Sequence, residues 1–250
     1  MRKLFIYMVV LALCACEVIK EEDRLIPIDL DPQGTRRHVL LEFTGFRCVN
    51  CPTAAALAEE LQAQYKDNLL VVALHPASNP FTQGKFDYTC PGADSIYQRM
   101  GGQASTPFPI GNVDMSLYQD EYLHDASQWA TMVYDAMKTS QAPMLSATAK
   151  GDTVTRLIQV DATYNSLDDR ELALWLVEDS VQGAQMMPDG SANMNYMHRH
   201  MLRETTRGTS IQAPEQCNLK NCYIVALLLD KNDNQILNAY ETTIDFGAGR

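Results

Sequence analysis

Residues 40–52 read LLEFTGFRCVNCP, and this stretch decides how the chain is understood. An apolar run, His38 to Thr44, ends at Gly45; Cys48 and Cys51 follow, separated by Val49 and Asn50. The run has the length and composition of a buried strand, with Gly45 as its breaker. From Pro52, the sequence TAAALAEELQAQY sets apolar residues at helical spacing among strong helix formers, and Asn68 marks its end. Leu69 to Leu74, LLVVAL, is a second buried strand. Strand, helix and strand in that order predict a parallel pair. The cysteines therefore fall where a strand gives way to a helix. The free N–H groups and dipole of a helix N-terminus stabilise a thiolate there. A spacing of three lets the second thiol close a disulfide within one turn and leaves the first exposed to attack. Zinc would need two more ligands, and no second CxxC exists. Haem attachment would need His after Cys51, where Pro52 stands. Thiol–disulfide exchange and an inert exported disulfide both fit the placement.

Outward from this stretch, residues 75–95 are rich in Pro, Gly, Asn and Thr and read as an inserted loop. A short helix is expected over Asp94 to Met100. QASTPFPIGNVDM follows, with Pro107 and Pro109 at the start of another strand. Asp125 to Ser140 reads as a helix, with Trp129, Val133 and Met137 at spacing four. The pattern changes after Pro143. Thr153 to Tyr164 alternates apolar and polar residues, as the half-buried strand of an antiparallel sheet does. Leu172 to Val177 is another strand, and Tyr223 to Leu229 and Gln235 to Thr243 flank a DKNDN hairpin turn. The second half is thus expected to be a mostly antiparallel, Ig-like β-sandwich over residues 143–250.

The chain has 250 residues, 46% of them hydrophobic and 20% charged, enough to bury a sizeable core. Its net charge of -11 argues against nucleic acid and against electrostatic docking to anionic lipid. The first residues, MRKLFIYMVVLALCAC, are an export signal: a basic pair, then an apolar stretch too short to span a bilayer. Leu13-Cys14-Ala15-Cys16 fits a lipoprotein cleavage site, whereas Leu13 beside Cys14 fits badly. Cleavage after residue 15 would leave Cys16 as the lipid-bearing first residue, the chain's link to a membrane. Residues 16–37 then form an acidic tether and lead-in, and 38–142 the first folded domain. Export also permits lasting disulfides.

The motif EFTGFRCVNCP, with Ser105-Thr106-Pro107 before a later strand, resembles the thioredoxin fold. More narrowly it is similar to the Bacteroidetes thioredoxin-like outer-membrane lipoproteins related to the Porphyromonas 28-kDa outer-membrane protein. That resemblance implies an α/β thioredoxin-like domain followed by a β domain, on the outer membrane. NYMHRHMLRETTRG is the second-half stretch matched to the family. It implies Cys48 as nucleophile, Cys51 as resolving thiol, Glu42 as a buried acid beneath the disulfide, and Pro107 as a cis-proline facing it. On sequence alone, Glu42 could equally be a strand residue facing solvent. Lys20-Glu21-Glu22-Asp23 resembles the acidic signal that sends such lipoproteins to the cell surface. Two features depart from thioredoxins: Arg47 replaces the Trp before the first cysteine, and Val49-Asn50 replaces Gly-Pro.

Cys217 and Cys222 read as a local disulfide closing a tight loop. Cys90 is then a free thiol or a third partner facing Cys48 and Cys51. His198 and His200, two apart, would share one face of a strand, but no third ligand stands nearby; no metal or cofactor is expected. Two functions follow. One is a lipid-anchored oxidoreductase exchanging disulfides with a protein partner. The other is a surface binding or adhesion module whose CxxC is only a staple.

Overall fold

The apolar run before the cysteines is a strand buried along its whole length. The structure, a computed structural model, describes residues 33–247. A short strand, Gln33–Thr35 (β1), leads into His38–Phe43 (β2). Helix Cys51–Tyr65 (α1) follows, and Leu69–Leu74 (β3) returns parallel to β2, with Glu42 opposite Ala73. Cys51 is the first residue of α1 and Pro52 the second, where a missing N–H leaves no helical bond unmade. Residues 75–90 are irregular, as their composition predicts, and end in helix Pro91–Arg99 (α2). Ile110–Val113 (β4) pairs antiparallel with β2, and His124–Asp125 (β5) pairs with β4 before helix Ala126–Ala136 (α3).

These strands have two covered faces. Leu40, Leu69, Val71 and Val113 pack against Ala54, Ala58 and Leu61 of α1 and Trp129 and Val133 of α3. Val39, Leu41, Phe43, Val72 and Leu74 pack on the opposite side with Ala93, Ile96 and Tyr97 of α2. Burial on both faces explains the unbroken apolar runs of β2 and β3.

The second half is almost all β. Its strands are Gln141–Pro143 (β6), Leu145–Gly151 (β7), Leu157–Tyr164 (β8), Arg170–Glu178 (β9), Val181–Met186 (β10), Ala192–His198 (β11), Met201–Arg207 (β12), Ser210–Gln212 (β13), Cys222–Asp230 (β14) and Ile236–Asp245 (β15). The strand expected from Thr153 begins at Leu157, because Asp152 holds the amides of Val154 and Thr155 in a turn. β14 and β15 form the expected hairpin.

The change of pattern at residue 143 is not a seam. One sheet of eleven strands runs β13-β8-β7-β15-β14-β9-β12-β3-β2-β4-β5. The join is parallel: Met201 of β12 lies opposite Ala73 of β3, and the Ala73 amide donates to the His200 carbonyl at 2.8 Å. One apolar cluster accordingly includes Phe43, Leu74 and Tyr97 with Trp175, Val177, Leu202 and Val225. All described residues belong to one compact unit. Farther along, only two residue pairs join β15 to β7. Beyond them, Ala147, Ile158 and Val160 of β7 and β8 share a second cluster with Leu174 and Leu176 of β9 and Ile224 and Ala226 of β14. Strands β10 and β11 pair with each other in a sheet of their own.

Candidate functional site

β2 aims the chain into a turn, Thr44 to Asn50, that returns as α1. The turn is tied by the Thr44 amide to the Leu74 carbonyl and by the Cys48 amide to the Gly45 carbonyl, both at 3.0 Å. Cys48 and Cys51 are joined in a disulfide with their Cα atoms 5.4 Å apart. The bond therefore sits on the N-terminal turn of α1, as the spacing predicts. Its exposure differs from expectation: Cys48 is 2% and Cys51 1% exposed.

Two segments remote in sequence cover it. The irregular stretch crosses the turn at Phe81, whose carbonyl accepts the Arg47 amide at 3.0 Å. A Cβ on Gly45 would lie 2.5 Å from that same Phe81 oxygen, so only glycine permits the crossing. From the other side comes the β10–β11 hairpin. Gln185 Nε2 donates to the carbonyl of Cys48 at 2.9 Å, and the Met186 amide donates to the Phe46 carbonyl at 2.8 Å. The Ala184 amide donates to the Tyr88 hydroxyl at 3.0 Å, locking hairpin and irregular stretch together.

Beneath the disulfide lies a narrow cavity of about 30 Å³, wide enough for a water molecule. Glu42, Cys51, Glu59, His75, Tyr196 and His198 are among its lining residues. Glu42 is 3% exposed, and its Oε1 has no hydrogen-bond partner. Burial, reinforced by the nearby Glu59 carboxylate, pushes its carboxyl up to about 8. It is a buried acid, not a solvent-facing strand residue. His75 is also buried with neither ring nitrogen hydrogen-bonded. Burial first, then the His198 and Arg203 charges, hold it well below the ordinary histidine value. Burial likewise pulls His198 down to about 4, and its Nε2 lies 3.2 Å from the Ala184 carbonyl. The cavity thus sets a protonated Glu42 and two neutral imidazoles beside Cys51, with the charged Glu59 and Arg199 side chains also in its lining. Gln185, His75 and Tyr196 had no signal in the sequence; they reach the site from β10, the end of β3 and β11.

Several expectations need correction. The cis peptide bond is Phe108–Pro109, not the one before Pro107. Both prolines precede β4, but Pro109 is its immediate neighbour, and Ile110 lies opposite Phe43 at the end of β2. Register thus brings Pro109, rather than Pro107, to the strand end that leads into the cysteine turn. Arg47 is exposed, and its Nη1 donates to the Gln83 carbonyl at 3.4 Å. His198 and His200 do not share a strand face: β11 ends at His198, and His200 has a φ of 52° in the turn beyond. His200 Nδ1 lies 2.9 Å from the Tyr223 hydroxyl. Cys90 is a buried free thiol that caps α2, its sulfur accepting the Ala93 amide at 3.4 Å. Cys217 and Cys222 are free thiols rather than a disulfide; Arg203 Nε donates to Cys217 at 3.3 Å, and Cys222 donates to the Asn218 carbonyl at 3.4 Å. Cys16 and the acidic residues after it lie outside the described residues. Among the described residues, no helix is long and apolar enough to cross a membrane.

No protein-family model matches this sequence, and no curated protein does. Solved structures do. HBP35 of Porphyromonas gingivalis superposes with a TM-score of 0.61 at 13% identity, over 86% of this chain and 78% of that one. A structural-genomics target from Agrobacterium tumefaciens superposes with a TM-score of 0.50 at 10% identity, over 87% of this chain and 98% of that one. A domain of the outer membrane lipoprotein Omp28 from Porphyromonas gingivalis gives 0.27 at 18% identity, over 43% of this chain, too low to argue from. At such identities the first two likenesses concern the fold.

Proposed function

We propose that this chain is a thioredoxin-like thiol–disulfide exchange protein held at the outer membrane by a lipid on Cys16. The observation that carries the chemistry is the neutral, buried Glu42 carboxyl in a cavity shared with Cys51. An incoming partner thiolate attacks Cys48 Sγ, and Cys51 leaves as a thiolate. The proton on Glu42 neutralises that thiolate, directly or through one water. A second partner thiol then displaces Cys48, and the partner leaves oxidised. Run backwards, Cys48 attacks a partner disulfide, Glu42 takes the proton from Cys51 as Cys51 attacks Cys48, and the protein regains its disulfide while the partner leaves as a dithiol. The strand order β3-β2-β4-β5, with α1 and α3 on one face and α2 on the other, supports the thioredoxin-like reading. In the second half, the β7–β8 layer over β9 and β14 is compatible with a sandwich.

One observation favours the other reading, a surface binding module with a structural CxxC: the disulfide is buried beneath the β10–β11 hairpin. That hairpin presents Met194 and Met197, 54% and 45% exposed. The reduction potential of the Cys48–Cys51 pair separates the two. Thiol trapping in a glutathione and dithiothreitol series should place it well above about -300 mV, where structural disulfides lie. A pair that yields only to strong dithiol, or not at all in the folded chain, is a staple. Lipid anchoring at the cell surface rests on the N-terminal sequence. Protease added to intact cells should digest the protein; full protection would count against surface display.

A further inference from the structure

A second pair of cysteines stands away from the proposed exchange site, in an environment of its own. Cys222 opens β14 and lies opposite Glu178 of β9, which in turn lies opposite Met201 of β12. Cys217 precedes a short 3-10 helix, Leu219–Asn221, that brings the chain back to Cys222. The ligand atoms of Glu178, Cys217 and Cys222 all lie within 4.8 Å of one another. Arg203, at the bulge of β12, reaches into this group. Its Nε donates to Cys217 Sγ at 3.3 Å and lies 3.2 Å from Glu178 Oε2. The other Glu178 oxygen accepts the Asn218 amide at 2.7 Å. Arg203, Glu178, Cys217 and Cys222 are all buried.

We infer that Cys217 and Cys222 are a second dithiol–disulfide couple, independent of Cys48–Cys51, with Cys217 as the attacking thiolate and Arg203 as the residue that positions and stabilises it. The closeness of the Cys222 thiol is the chief cause that draws Cys217 down to about 7, and the Arg203 donor adds to it. The same closeness pushes Cys222 up, so the two thiols hold unequal roles. A low-pKa thiol beside a cation is the better nucleophile at neutral pH. The cluster is less suited to a divalent metal ion, which would have to share Cys217 and Glu178 with a guanidinium of like charge. A disulfide brings no charge and leaves Arg203 to Glu178.

The exchange partner assigned to this pair is a low-molecular-weight disulfide, small enough to approach sulfurs just beneath the surface. The Cys217 thiolate attacks one sulfur of that disulfide and releases one thiolate. Cys222 gives up its proton as it attacks Cys217 and releases the second. The protein thiols become one disulfide, and the small disulfide becomes two thiols that carry the protons away.

The test equilibrates the full chain with graded ratios of reduced and oxidised glutathione. Acid quenching, differential alkylation and peptide mass spectrometry then read residues 217 and 222 separately from 48, 51 and 90. The expected result is a reversible two-electron transition at 217 and 222. Arg203→Gln should shift it about tenfold toward the disulfide, about 30 mV more reducing, because the reduced form loses its stabilising donor. The parent titration decides by itself if that variant fails to fold. Four results overturn the inference: thiols that persist in pure oxidised glutathione, a disulfide that dithiothreitol does not open, a folded Arg203→Gln chain with the parent midpoint, or one equivalent of added zinc bound with both thiols protected.

Discussion

A carboxyl group held near 8 is protonated in the folded chain at neutral pH and ionised in the unfolded one. For Glu42 the ordinary value is 4.5. Below about pH 4.5 both states keep the proton, and its burial carries no ionisation penalty. Between there and about 8 only the folded state keeps it, so each rise in pH favours unfolding. Above 8 the charged group is buried and the penalty is complete. Glu42→Gln should therefore gain stability over the parent as pH rises from 5 to 9, by on the order of a few kcal/mol. Urea unfolding at the two values measures it; an equal gain at both would refute the assignment. The same variant should slow reduction of Cys48–Cys51 by about a hundredfold, since the amide has no proton to give. At this scale the sequence was informative where neighbours are close along the chain. Cys48, Cys51 and Glu42 lie on one strand and its turn, so spacing alone relates them. His75 and Gln185 could not be related to them, because only the sheet and the hairpin bring them in. The choice between Pro107 and Pro109 needed the register of β4.

The β10–β11 hairpin is the element that decides access to the disulfide. It is tied to the cysteine turn by Gln185, whose Nε2 donates to the Cys48 and Gly45 carbonyls, and by the Met186 amide, which donates to the Phe46 carbonyl. Gln185→Ala should loosen that contact and speed reduction by dithiothreitol about fivefold, as a net hydrogen-bond contribution of about 1 kcal/mol gives. Stopped-flow or timed alkylation would read it. An unchanged rate would mean that Phe81 and its neighbours, not the hairpin, limit entry. The hairpin was invisible in the sequence because it buries so little: Ala192–Tyr196 carries no fully buried residue, and its periodicity has no apolar face. β12 was obscured for another reason. MLRETTR reads as polar, yet Arg203 is buried because Cys217 and Met201 accept its donors and Glu178 balances its charge. Helices α1 and α3 and strands β2, β3, β14 and β15 were legible because each carries its own periodicity or apolar run.

Across the whole molecule, the parallel contact between β3 and β12 makes two halves of sequence into one sheet. A boundary inferred from a change of pattern at residue 143 marks a change of strand chemistry rather than the end of a core. The two tryptophans test this, since Trp129 lies in α3 and Trp175 in β9. Trp175→Phe leaves a reporter in the first half and Trp129→Phe one in the second. In each variant the fluorescence and far-ultraviolet circular dichroism transitions should coincide, as one cooperative unit requires. A half that melts several degrees apart from the bulk signal would restore two domains. The join also governs how the chain comes into being. Synthesis runs from the N-terminus, so LLVVAL of β3 is complete long before the strand that covers its outer edge. Until residue 201 has been made, that edge is an open template to which any other extended chain can add. A newly made chain is therefore most open to aggregation in the interval between the making of β3 and the making of β12.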